Sequence, residues 1–584
     1  MSVANMTGEW LFAGTLESLQ QEKAKVIKGG IAVFYHEEQV YAVDNRCPHL
    51  GFPLHIGSLC DGILTCHWHH ARFDVCSGGT LDPWADDVPA HDVKVKEDGV
   101  WVHARSRSVR DKEMQLERLR NGLEQNIGIV IAKAIVGLLE SNVPAAEIAA
   151  MGIEYGTRLS GGWNAGLTIL TAMTRVLPKL DKMGQLLALY HGLHHVARSS
   201  SGRAEHHLLG GLPQGEVSQE RLTSWYRNCV EVRDTQGAER ILLTSIAKGA
   251  TDEELADMMF IAVTDHFYLD GGHTLDFHNK AFESLRFVQA DRRSQVLASL
   301  VPLMANPTRS EELHQWQAPV NLVEPLRQAF SQLPQHRREE QPFKSVTTEE
   351  EENLVGMLLG EQPLETVHAL LQFIQEGKDP SQLAQLVVLA AAERIVRFHT
   401  QNDFGDWIAV LHTFTYAHAV HEAAARGHEP MVLRAIFYGA ISVYLDRFLN
   451  VPAAPRPKPA EGEASMETAE LLQLMDQRQQ VNQAAKWVAS YLNADGSREK
   501  LMNTLGHALL REDAEFHSFQ LYEAAMSAYD HWSVRSDPFA ERAKETLLIA
   551  AARYLAAHAP TARETPHTAQ IAWRLSRGEK LFEE

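Results

Sequence analysis

The pattern of apolar and polar residues divides the chain into two parts that differ in period. Up to residue 105, short apolar runs such as 31–35 and 40–43 alternate with turn residues. Residues 93–95 and 100–102 flank an Asp-Gly pair, which is a signal of a β-hairpin. From residue 110, apolar residues recur at every third or fourth position, as in an amphipathic helix. The pattern predicts a multi-domain protein with a small antiparallel all-β domain followed by a large all-α domain.

Two segments interrupt the helical pattern. Residues 332–352 are highly charged, and residues 452–466 are rich in Pro, Ala and Glu. We therefore predict a β domain at residues 1–106 and a first helical half at residues 107–331. The charged segment is then an exposed linker, and the second helical half, residues 353–584, includes a mobile loop at the Pro-rich segment.

A weak helical repeat is visible in the second part. Residues 241–286 and 370–425 both read as helix, turn and helix, and His273-Thr274 in one aligns with His412-Thr413 in the other. Residues 139–177 form a fainter third copy. The alternative is coincidence between helices of similar composition.

Composition and charge exclude several classes of protein. The 584 residues are 45% hydrophobic and 22% charged, as in ordinary globular proteins. The net charge of -20 argues against a nucleic-acid partner, because no basic excess neutralises phosphates. No apolar run approaches the ~20 residues that span a bilayer. The first residues lack the basic and apolar regions of a signal peptide. We expect a cytoplasmic protein without a membrane or nucleic-acid partner.

Cysteine and histidine spacing in the β domain indicates a metal site. Four of the five cysteines lie within thirty residues, in a chain without an export signal, so a metal site is favoured over disulfides. Cys47 and His49 form a C-x-H motif, and Cys66 and His69 form a C-x-x-H motif sixteen residues later. Two thiolates and two imidazoles suit either tetrahedral zinc or a [2Fe–2S] cluster.

Residues 8–105 resemble the Rieske [2Fe–2S] family through these two motifs and through the downstream Phe73-Asp74 and Ser77-Gly78-Gly79. The resemblance implies that Cys47 and Cys66 bind one iron and that His49 and His69 bind the other. Imidazole ligands raise the reduction potential above that of a four-cysteine cluster. The resemblance favours the cluster over zinc.

The chain departs from the family at several positions. Phe52 and Trp68 stand where high-potential respiratory members carry disulfide-bonded cysteines, which implies the lower-potential type of ferredoxins and oxygenases. The family usually reads Cys-Pro-Trp-His-Gly in the second motif, and this chain has His67 and His70 at two of those places. These two histidines either replace the usual residues on a solvent-facing loop or couple to protons near the cluster. The remaining cysteines of the β domain, Cys60 and Cys76, are expected to be small core residues.

Histidines also cluster in four predicted helical segments. The segments contain His191 and His195, His266 and His273, His412, and His517. Residues 191 and 195 share one helix face, so both could reach one metal. A hydrogen-bonded core or surface role is the alternative for any single histidine. Because the clusters are fused to an electron-transfer domain, we predict a shared redox metal, and iron is favoured because zinc has no redox chemistry.

Two histidine segments are similar to motifs of questin-oxidase-like proteins, which are helical oxygenases that cleave or oxidise aromatic polyketide rings. The segments are DGGHTLDFHNKAFESL and LYHGLHHVA. The resemblance implies a non-haem iron site with several histidine ligands. Lys280 lies about on the helix face of His273 and, if modified by CO2, could be a further ligand.

Other residues close in sequence to these ligands are candidates for catalysis. Asp265 and Asp276 could bind iron or relay protons, and they could equally cap helices or orient imidazoles. Tyr416 is a further candidate. An aromatic lining would suit an aromatic or otherwise apolar substrate, although such residues are more often core. The aromatic residues near the predicted ligands are Trp163, Phe267, Tyr268, Phe414 and Tyr416.

These observations predict a Rieske-type oxygenase. An NAD(P)H-dependent reductase or a ferredoxin would supply electrons to the [2Fe–2S] cluster, and a non-haem iron site would oxidise an apolar, aromatic small molecule with O2. A homo-oligomer is expected. The main alternative is a non-catalytic electron relay or redox sensor whose helices form a docking scaffold. A helical metal hydrolase with a Rieske regulator ranks last, because the sequence has no H-E-x-x-H motif.

Overall fold

The computed structural model describes residues 10–82, 84–106, 112–213, 217–267, 269–310, 320–334, 342–426, 431–461, 465–577 and 579. The chain forms two compact units, one of residues 1–144 with 567–584 and one of residues 145–566. The described strands lie in the first unit, and the second is helical. The predicted fold class, a small antiparallel β domain followed by a large helical region, is therefore confirmed.

The β domain is built from three small antiparallel sheets. Its elements are β1 (Trp10–Gly14), α1 (Leu16–Glu22), β2 (Ala24–Ile27), β3 (Ile31–His36), β4 (Gln39–Asp44), β5 (Ser58–Cys60), β6 (Ile63–Thr65), β7 (Arg72–Asp74), β8 (His91–Lys96) and β9 (Gly99–Ser106). β3 pairs with β2 and β4, β9 with β1 and β8, and β6 with β5 and β7. Side chains alternate along β3, so Phe34 packs in the core that holds Cys47 and Cys66, while Val33 packs in a second core.

Two helices complete the described part of the first unit before residue 144. They are α2 (Lys112–Gln125) and α3 (Gly128–Glu140). Gly122 allows them to pack closely, because a Cβ atom there would lie 2.9 Å from Ile131. Arg118 of α2 pairs with Asp86 of the β domain at 3.1 Å. The first compact unit thus extends past the predicted boundary at residue 106.

The second unit is built from helices joined by short loops. Its helices are α4 (Ala145–Thr157), α5 (Ala165–Val176), α6 (Lys182–Ser200), α7 (Gln219–Glu231), α8 (Thr235–Ala247), α9 (Asp252–Thr264), α10 (His273–Ser284), α11 (Arg293–Ala298), α12 (Val301–Ala305), α13 (Val323–Ser331), α14 (Thr348–Leu359), α15 (Pro363–Gln375), α16 (Pro380–Val396), α17 (Phe404–Ala425), α18 (Met431–Leu445), α19 (Ala469–Leu474), α20 (Val481–Asn493), α21 (Arg498–Leu510), α22 (Phe516–Trp532), α23 (Pro538–His558) and α24 (Glu564–Ser576), the last of which continues into the carboxyl-terminal segment of the first unit. Polar N-caps begin many of them. Asp403 and Thr251, for example, each form a capping box.

Four of these helices form a ring around a shared interior. α10 packs on α5 and α17, and α22 packs on the same two helices. Side chains on facing helices of such a bundle project into one core, where proteins commonly build metal sites.

The two segments predicted as linker and loop differ from expectation in part. Residues 335–341 and 462–464 lie outside the described residues. Residues 348–352 form the first turns of α14, which Thr347 caps. The described part of the Pro-rich loop is irregular, and Arg456 in it is hydrogen-bonded to Thr546 of α23 at 2.9 Å. Residues 145–566 form one unit, so a division into two helical halves is not visible as separate bodies.

The repeat segments each form a pair of helices, namely α4 with α5, α9 with α10, and α16 with α17. Among the residues that the structure describes, no helix combines the length and the apolar character needed to cross a membrane.

Candidate metal centres

Two loops with the same backbone geometry hold the predicted cluster ligands. In the first loop, the Gly51 amide donates to the Cys47 carbonyl at 2.7 Å, and the Cys47 amide donates to the Phe52 carbonyl at 2.7 Å. In the second loop, the His70 amide donates to the Cys66 carbonyl at 3.1 Å, and the Cys66 amide donates to the Ala71 carbonyl at 2.9 Å. Each loop therefore closes on its own cysteine. This closure fixes the directions of the cysteine and of the histidine beside it.

The fifth residue of each loop adopts a left-handed backbone conformation. Gly51 has φ +87° and His70 has φ +62°. Glycine adopts this conformation without steric strain, whereas a residue with a Cβ atom is strained there. Histidine is one of the non-glycine residues enriched there. The unusual His70 thus occupies a position whose backbone favours glycine, and His67 and His70 are both exposed, as the solvent-facing interpretation predicted.

The side chains of the two loops converge. Cys47 and Cys66 are buried and hydrogen-bond to each other, which raises the pKa of Cys47 and lowers that of Cys66 to about 6. The rings of His49 and His69 lie 4.8 Å apart. Nδ1 of His49 is buried and has no hydrogen-bond partner among the described residues. Two facing thiols and two imidazoles, one with an unsatisfied ring nitrogen, fit the donor set of a [2Fe–2S] cluster.

The surroundings of these ligands explain two further features of the sequence. The rings of Phe52 and Trp68 pack 5.7 Å apart, so an aromatic pair joins the two loops where the respiratory type would have a disulfide. The Asp74 carboxylate accepts the amides of Cys76 and Ser77. Gly78 follows with φ +82°, and a Cβ atom there would lie 1.9 Å from the Val88 carbonyl oxygen. Close backbone packing beside the site therefore explains the Ser-Gly-Gly motif.

A buried lysine from α3 supports the first ligand loop. Nζ of Lys133 donates to the His49 carbonyl at 2.9 Å and to the Pro48 carbonyl, and it lies 3.4 Å from the Asp86 carboxylate. Burial lowers the pKa of Lys133, and Asp86 opposes that effect. Sequence reasoning missed Lys133, since it is far from the Cys-His motifs and has no local signal.

The two other cysteines of the β domain are exposed and are not core residues as expected. Cys60 lies at the end of the short β5, and Cys76 lies in the turn after β7. The prediction failed because both strands are only three residues long, so their ends reach the surface.

Three predicted histidines from the helical unit meet in a second centre, which we call the three-His site. His273 begins α10, His412 lies on α17, and His517 lies in the first turn of α22. Nε2 of His412 is 2.9 Å from Nε2 of His517, and the His273 ring centroid lies 4.5 Å from that of His412. One ring nitrogen from each residue lies within 4.8 Å of the others, and all three residues are partly exposed. The arrangement suits one metal ion with room for a further ligand.

The environment of the three-His site lowers the pKa of two of its histidines and so favours their neutral form. Burial lowers the pKa of His273 to about 4, and His517 adds to the effect. Burial lowers the pKa of His412 to about 3, with contributions from both neighbouring histidines. Neutral imidazoles are the form that binds a metal.

Two residues that the sequence reasoning did not select shape this site. Glu515 caps α22, and its Oε2 accepts from Nδ1 of His517 at 2.7 Å. Burial opposes ionisation of Glu515, but its hydrogen bonds and the nearby His517 lower its pKa to about 2. A carboxylate on the outer nitrogen of an imidazole orients the ring and raises its basicity. Gly271, with φ +63°, brings the loop before α10 close to His412, since its Cβ would lie 3.3 Å from Nδ1.

The other predicted ligands do not belong to the three-His group. Nε2 of His191 donates to the Leu510 carbonyl at 2.9 Å, and His195 packs against Phe519 with ring centroids 5.6 Å apart. His266 bonds to Glu231 at 2.6 Å. These corrections share one cause: helical spacing shows which residues share a face, but tertiary packing decides what that face contacts.

Lys280 is not available as a ligand. It is buried, and its ammonium group contacts Glu283 at 3.0 Å and Glu523. Burial lowers the pKa of Lys280, but the two carboxylates outweigh that effect and raise it above the usual value. An ammonium group held between two carboxylates stays charged, so the CO2-modified form is not supported.

The predicted catalytic residues are dispersed. Asp265 pairs with Arg227 and Arg434, and Tyr416 is buried next to Gly439 of α18. Asp276 lies one turn after His273 on α10 and accepts from the Gln520 amide, which lies one turn after His517. Burial raises the pKa of Asp276 to about 8. Of the three, Asp276 is therefore the one that the structure relates to the three-His site.

The aromatic residues beside His273 also differ from those proposed. The rings of Phe277 and Phe516 lie 5.4 and 5.5 Å from the His273 ring. Trp163 instead bonds to Thr168 at 2.8 Å, and Phe267 packs on Tyr438. Phe414 is buried, and Tyr268 lies outside the described residues.

Comparisons with known proteins match the β domain. The Rieske [2Fe-2S] domain family matches residues 9–92. The ferredoxin component of the naphthalene 1,2-dioxygenase/salicylate 5-hydroxylase systems of Ralstonia sp is 32% identical over 95 residues, which cover 16% of this chain and 91% of that protein. The ferredoxin of carbazole 1,9a-dioxygenase from Nocardioides aromaticivorans IC177 is 26% identical, covering 17% of this chain and 100% of that one, with a TM-score of 0.16.

A larger relative shares the same short region. Apoptosis-inducing factor 3 of Homo sapiens is 30% identical over 104 residues, which are 18% of this chain and 16% of that protein. The chain thus spans about a sixth of the length of this relative. Each of these matches covers less than a fifth of the chain.

Proposed function

Because this chain belongs to the Rieske [2Fe–2S] family through residues 9–92, we propose that it is an oxygenase. Its Rieske domain supplies electrons to a non-haem iron site at His273, His412 and His517, for the O2-dependent oxidation of an apolar, aromatic small molecule. The observation that carries the proposal is the convergence of three histidines from three helices, in a chain that also has an electron-transfer domain.

The donor set favours a redox metal. Imidazoles bind zinc, copper, iron and nickel, so ligand type alone does not select iron. The attached Rieske domain favours iron over zinc, because zinc has no redox chemistry. Bound here, iron would supply the dioxygen binding and the one-electron steps that the imidazoles lack.

The chain's own residues position ligands and hold protons. Glu515 fixes the ring of His517 through Nδ1. Burial raises the pKa of Asp276 to about 8, which favours its protonated form at neutral pH, and Asp276 lies one helical turn from His273 with its carboxyl group bonded to Gln520. A monooxygenation consumes two electrons and two protons per O2 and yields a hydroxylated product and water. We assign Asp276 as a proton-holding group for this reaction.

The surfaces of the two sites are consistent with the proposed partners. Phe277 and Phe516 place two aromatic rings beside His273, which suits an apolar substrate. His69 and Trp68 are exposed in the second ligand loop, whereas Lys133 of α3 covers the backbone of the first loop. We propose that the exposed side receives electrons from an NAD(P)H-dependent reductase or a ferredoxin. A homo-oligomer stays a prediction.

Metal content and O2 use test the proposal. We expect anaerobically purified protein to hold two acid-labile sulfides and more than two irons per chain, and to consume O2 with substrate and a reductant. His412→Ala should lose the additional iron and the O2 consumption but keep the Rieske EPR signal. His207→Ala, which removes an exposed histidine, is the control. Equal iron in the parent and in His412→Ala after reconstitution would overturn the proposal.

A relay or redox sensor is the second candidate. The similarity to ferredoxin components of dioxygenase systems favours it, because those components match over most of their length. A protein with two irons, two sulfides and reversible reduction, but no metal at the three-His site, would support this candidate.

A further inference from the structure

A second group of metal-binding side chains lies in the same helical bundle. Ligand atoms of His421 and Glu422 on α17 and of His531 on α22 all lie within 4.8 Å of one another. Nε2 of His531 is 2.9 Å from Oε1 of Glu422, and the rings of His421 and His531 are 4.4 Å apart. Because His412 and Glu422 are ten residues apart on α17, this group lies several turns along the bundle from the three-His site.

The seam between the two groups contains buried ion pairs. Arg175 of α5 contacts Glu283 at 2.5 Å and Glu523 at 2.8 Å, and Lys280 contacts the same two carboxylates. Arg175 also lies 3.4 Å from Glu422, so the two cations contact three carboxylates. These contacts account for the buried charges next to the group without using either of its histidines.

His421 is not accounted for by this network. Its side chain is only 2% exposed, and its Nδ1 has no hydrogen-bond partner among the described residues. A buried polar nitrogen without a partner costs about 1–3 kcal/mol. An ion pair between His531 and Glu422 would explain those two residues, but it would leave His421 unsatisfied.

The carboxylate of the group is held in one orientation. Arg175 lies 3.4 Å from Oε2 of Glu422, and Ser527 donates to Oε1 at 3.0 Å. Oε1 is thereby directed to the two rings. Nε2 of His418, one turn earlier on α17, is buried and lies 3.5 Å from the same oxygen. A ligand held by such outer contacts is typical of a built metal site.

We propose that His421, Glu422 and His531 bind a divalent transition metal ion. Two imidazoles and one carboxylate are donors that both zinc and iron accept. Three protein donors leave a further position for a water molecule or another ligand. The ion would join α17 to α22 and so hold the bundle that carries the three-His site.

Metal counting on the full chain tests the site independently of activity. We expect the double variant His412→Ala/His517→Ala to retain one metal ion per chain beyond the two cluster irons, measured by elemental analysis for iron, zinc, manganese and cobalt. His421→Ala and His531→Ala should each lose one ion relative to the parent. Co²⁺ loaded into the double variant should give a visible absorption that His421→Ala in the same background lacks.

A matched control separates metal loss from the loss of a histidine–carboxylate contact. His507→Ala removes the contact of His507 with Asp181 at 2.8 Å, on helices outside the group. We expect His507→Ala to keep the parent's metal content. Chelation should lower the melting temperature of the parent by several degrees and that of His531→Ala much less.

The proposal is overturned if His421→Ala and His531→Ala, folded by circular dichroism, hold as much metal as the parent after reconstitution with zinc or iron. His531 is partly exposed, so its variant is the one expected to fold without difficulty. Absence of metal from the three-His site would contradict the proposed function, but it would not change the number of ions bound by His421, Glu422 and His531.

Discussion

The four Rieske ligands come from 23 consecutive residues, whereas the ligands of the three-His site are more than 100 residues apart along the chain. In the β domain, backbone hydrogen bonds within each loop place Cys47 and Cys66. In the helical unit, packing between α10, α17 and α22 places the histidines. The first site is therefore specified locally. The second site exists only if the helices pack in one particular way, so its geometry depends on contacts that support the ligands from outside.

The largest effect is expected at Glu515, whose carboxylate supports a candidate ligand of the three-His site from outside. Glu515→Gln removes the carboxylate from Nδ1 of His517 and should weaken metal binding at the three-His site by roughly 10–100-fold. Competition with a coloured chelator would measure the affinity. The matched control is Asp537→Asn, since Asp537 caps α23 in the same way without contacting a histidine. Both variants should lose some helix stability, but an equal loss of metal affinity would show that Glu515 acts only as a cap.

This contrast also explains what the sequence could and could not predict. The C-x-H and C-x-x-H motifs select four residues that the structure brings together, because the loop that closes on each cysteine lies within six residues. For the helical unit, the histidine clusters included His273, His412 and His517, which the structure brings together, and also His191, His195 and His266, which make other contacts. The sequence contains no local mark that distinguishes a histidine facing a metal from one that donates to the Leu510 carbonyl.

The same limit applies to charged residues. Lys280 lies on the face of α10 that carries His273 and Asp276, so its spacing alone suggested a ligand. The structure places it between Glu283 and Glu523, from helices 240 residues apart in sequence, and those partners fix its charge. The N-terminal sheets were predictable because alternation and turns are local signals. The extension of the first unit by α2 and α3 was not, since it depends on contacts such as that of Arg118 with Asp86.

A second test compares Asp276 with a second buried acid, Asp446, whose carboxyl group contacts Thr413 of α17. Asp276 has a pKa of about 8 in the fold, far above its value in an unfolded chain, so it binds a proton that the unfolded state lacks at neutral pH. Its contribution is therefore complete at low pH and is lost as the pH rises to about 8. Asp276 alone should make the free energy of unfolding fall by up to about 1.4 kcal/mol per pH unit between about pH 4 and pH 8.

Asp276→Asn should remove this share of the pH dependence, as chemical denaturation at several pH values would show. Asp446 is equally buried with a pKa of about 8, and Asp446→Asn should have a similar effect on stability. Only Asp276→Asn should also slow O2 consumption at the three-His site. Unchanged turnover in Asp276→Asn would exclude its role as a proton-holding group. The buried histidines also bind protons when the chain unfolds in this pH range, but their contribution is common to the parent and to Asp276→Asn, so the difference between the two pH profiles isolates Asp276.

A third, smaller effect is expected at the Rieske site from Lys133. Reduction adds negative charge to the cluster region, and a buried cation beside the His49 loop stabilises that charge. Lys133→Met should lower the reduction potential by tens of millivolts, where about 59 mV corresponds to a tenfold change for one electron. Voltammetry measures the change. Lys94→Met, at an exposed lysine stacked on Trp10, should leave the potential unchanged, and an equal shift in both variants would exclude a specific role for Lys133.

The smallest effect concerns the left-handed backbone position that the two Rieske loops share. Gly51 and His70 occupy equivalent left-handed positions, but only His70 carries a side chain there. A left-handed residue with a Cβ atom destabilises the fold by about 1–2 kcal/mol. Replacing it by glycine removes this strain, but the unfolded chain gains conformational entropy, which offsets part of the gain in stability. His70→Gly should therefore stabilise the β domain by about 1 kcal/mol or less, measured as the temperature at which the cluster absorption is lost. Gly51→Ala should destabilise it, since its Cβ would lie 3.1 Å from Leu575. A lower melting temperature in His70→Gly, with the potential unchanged, would mean that the His70 side chain stabilises the loop by more than its backbone conformation costs.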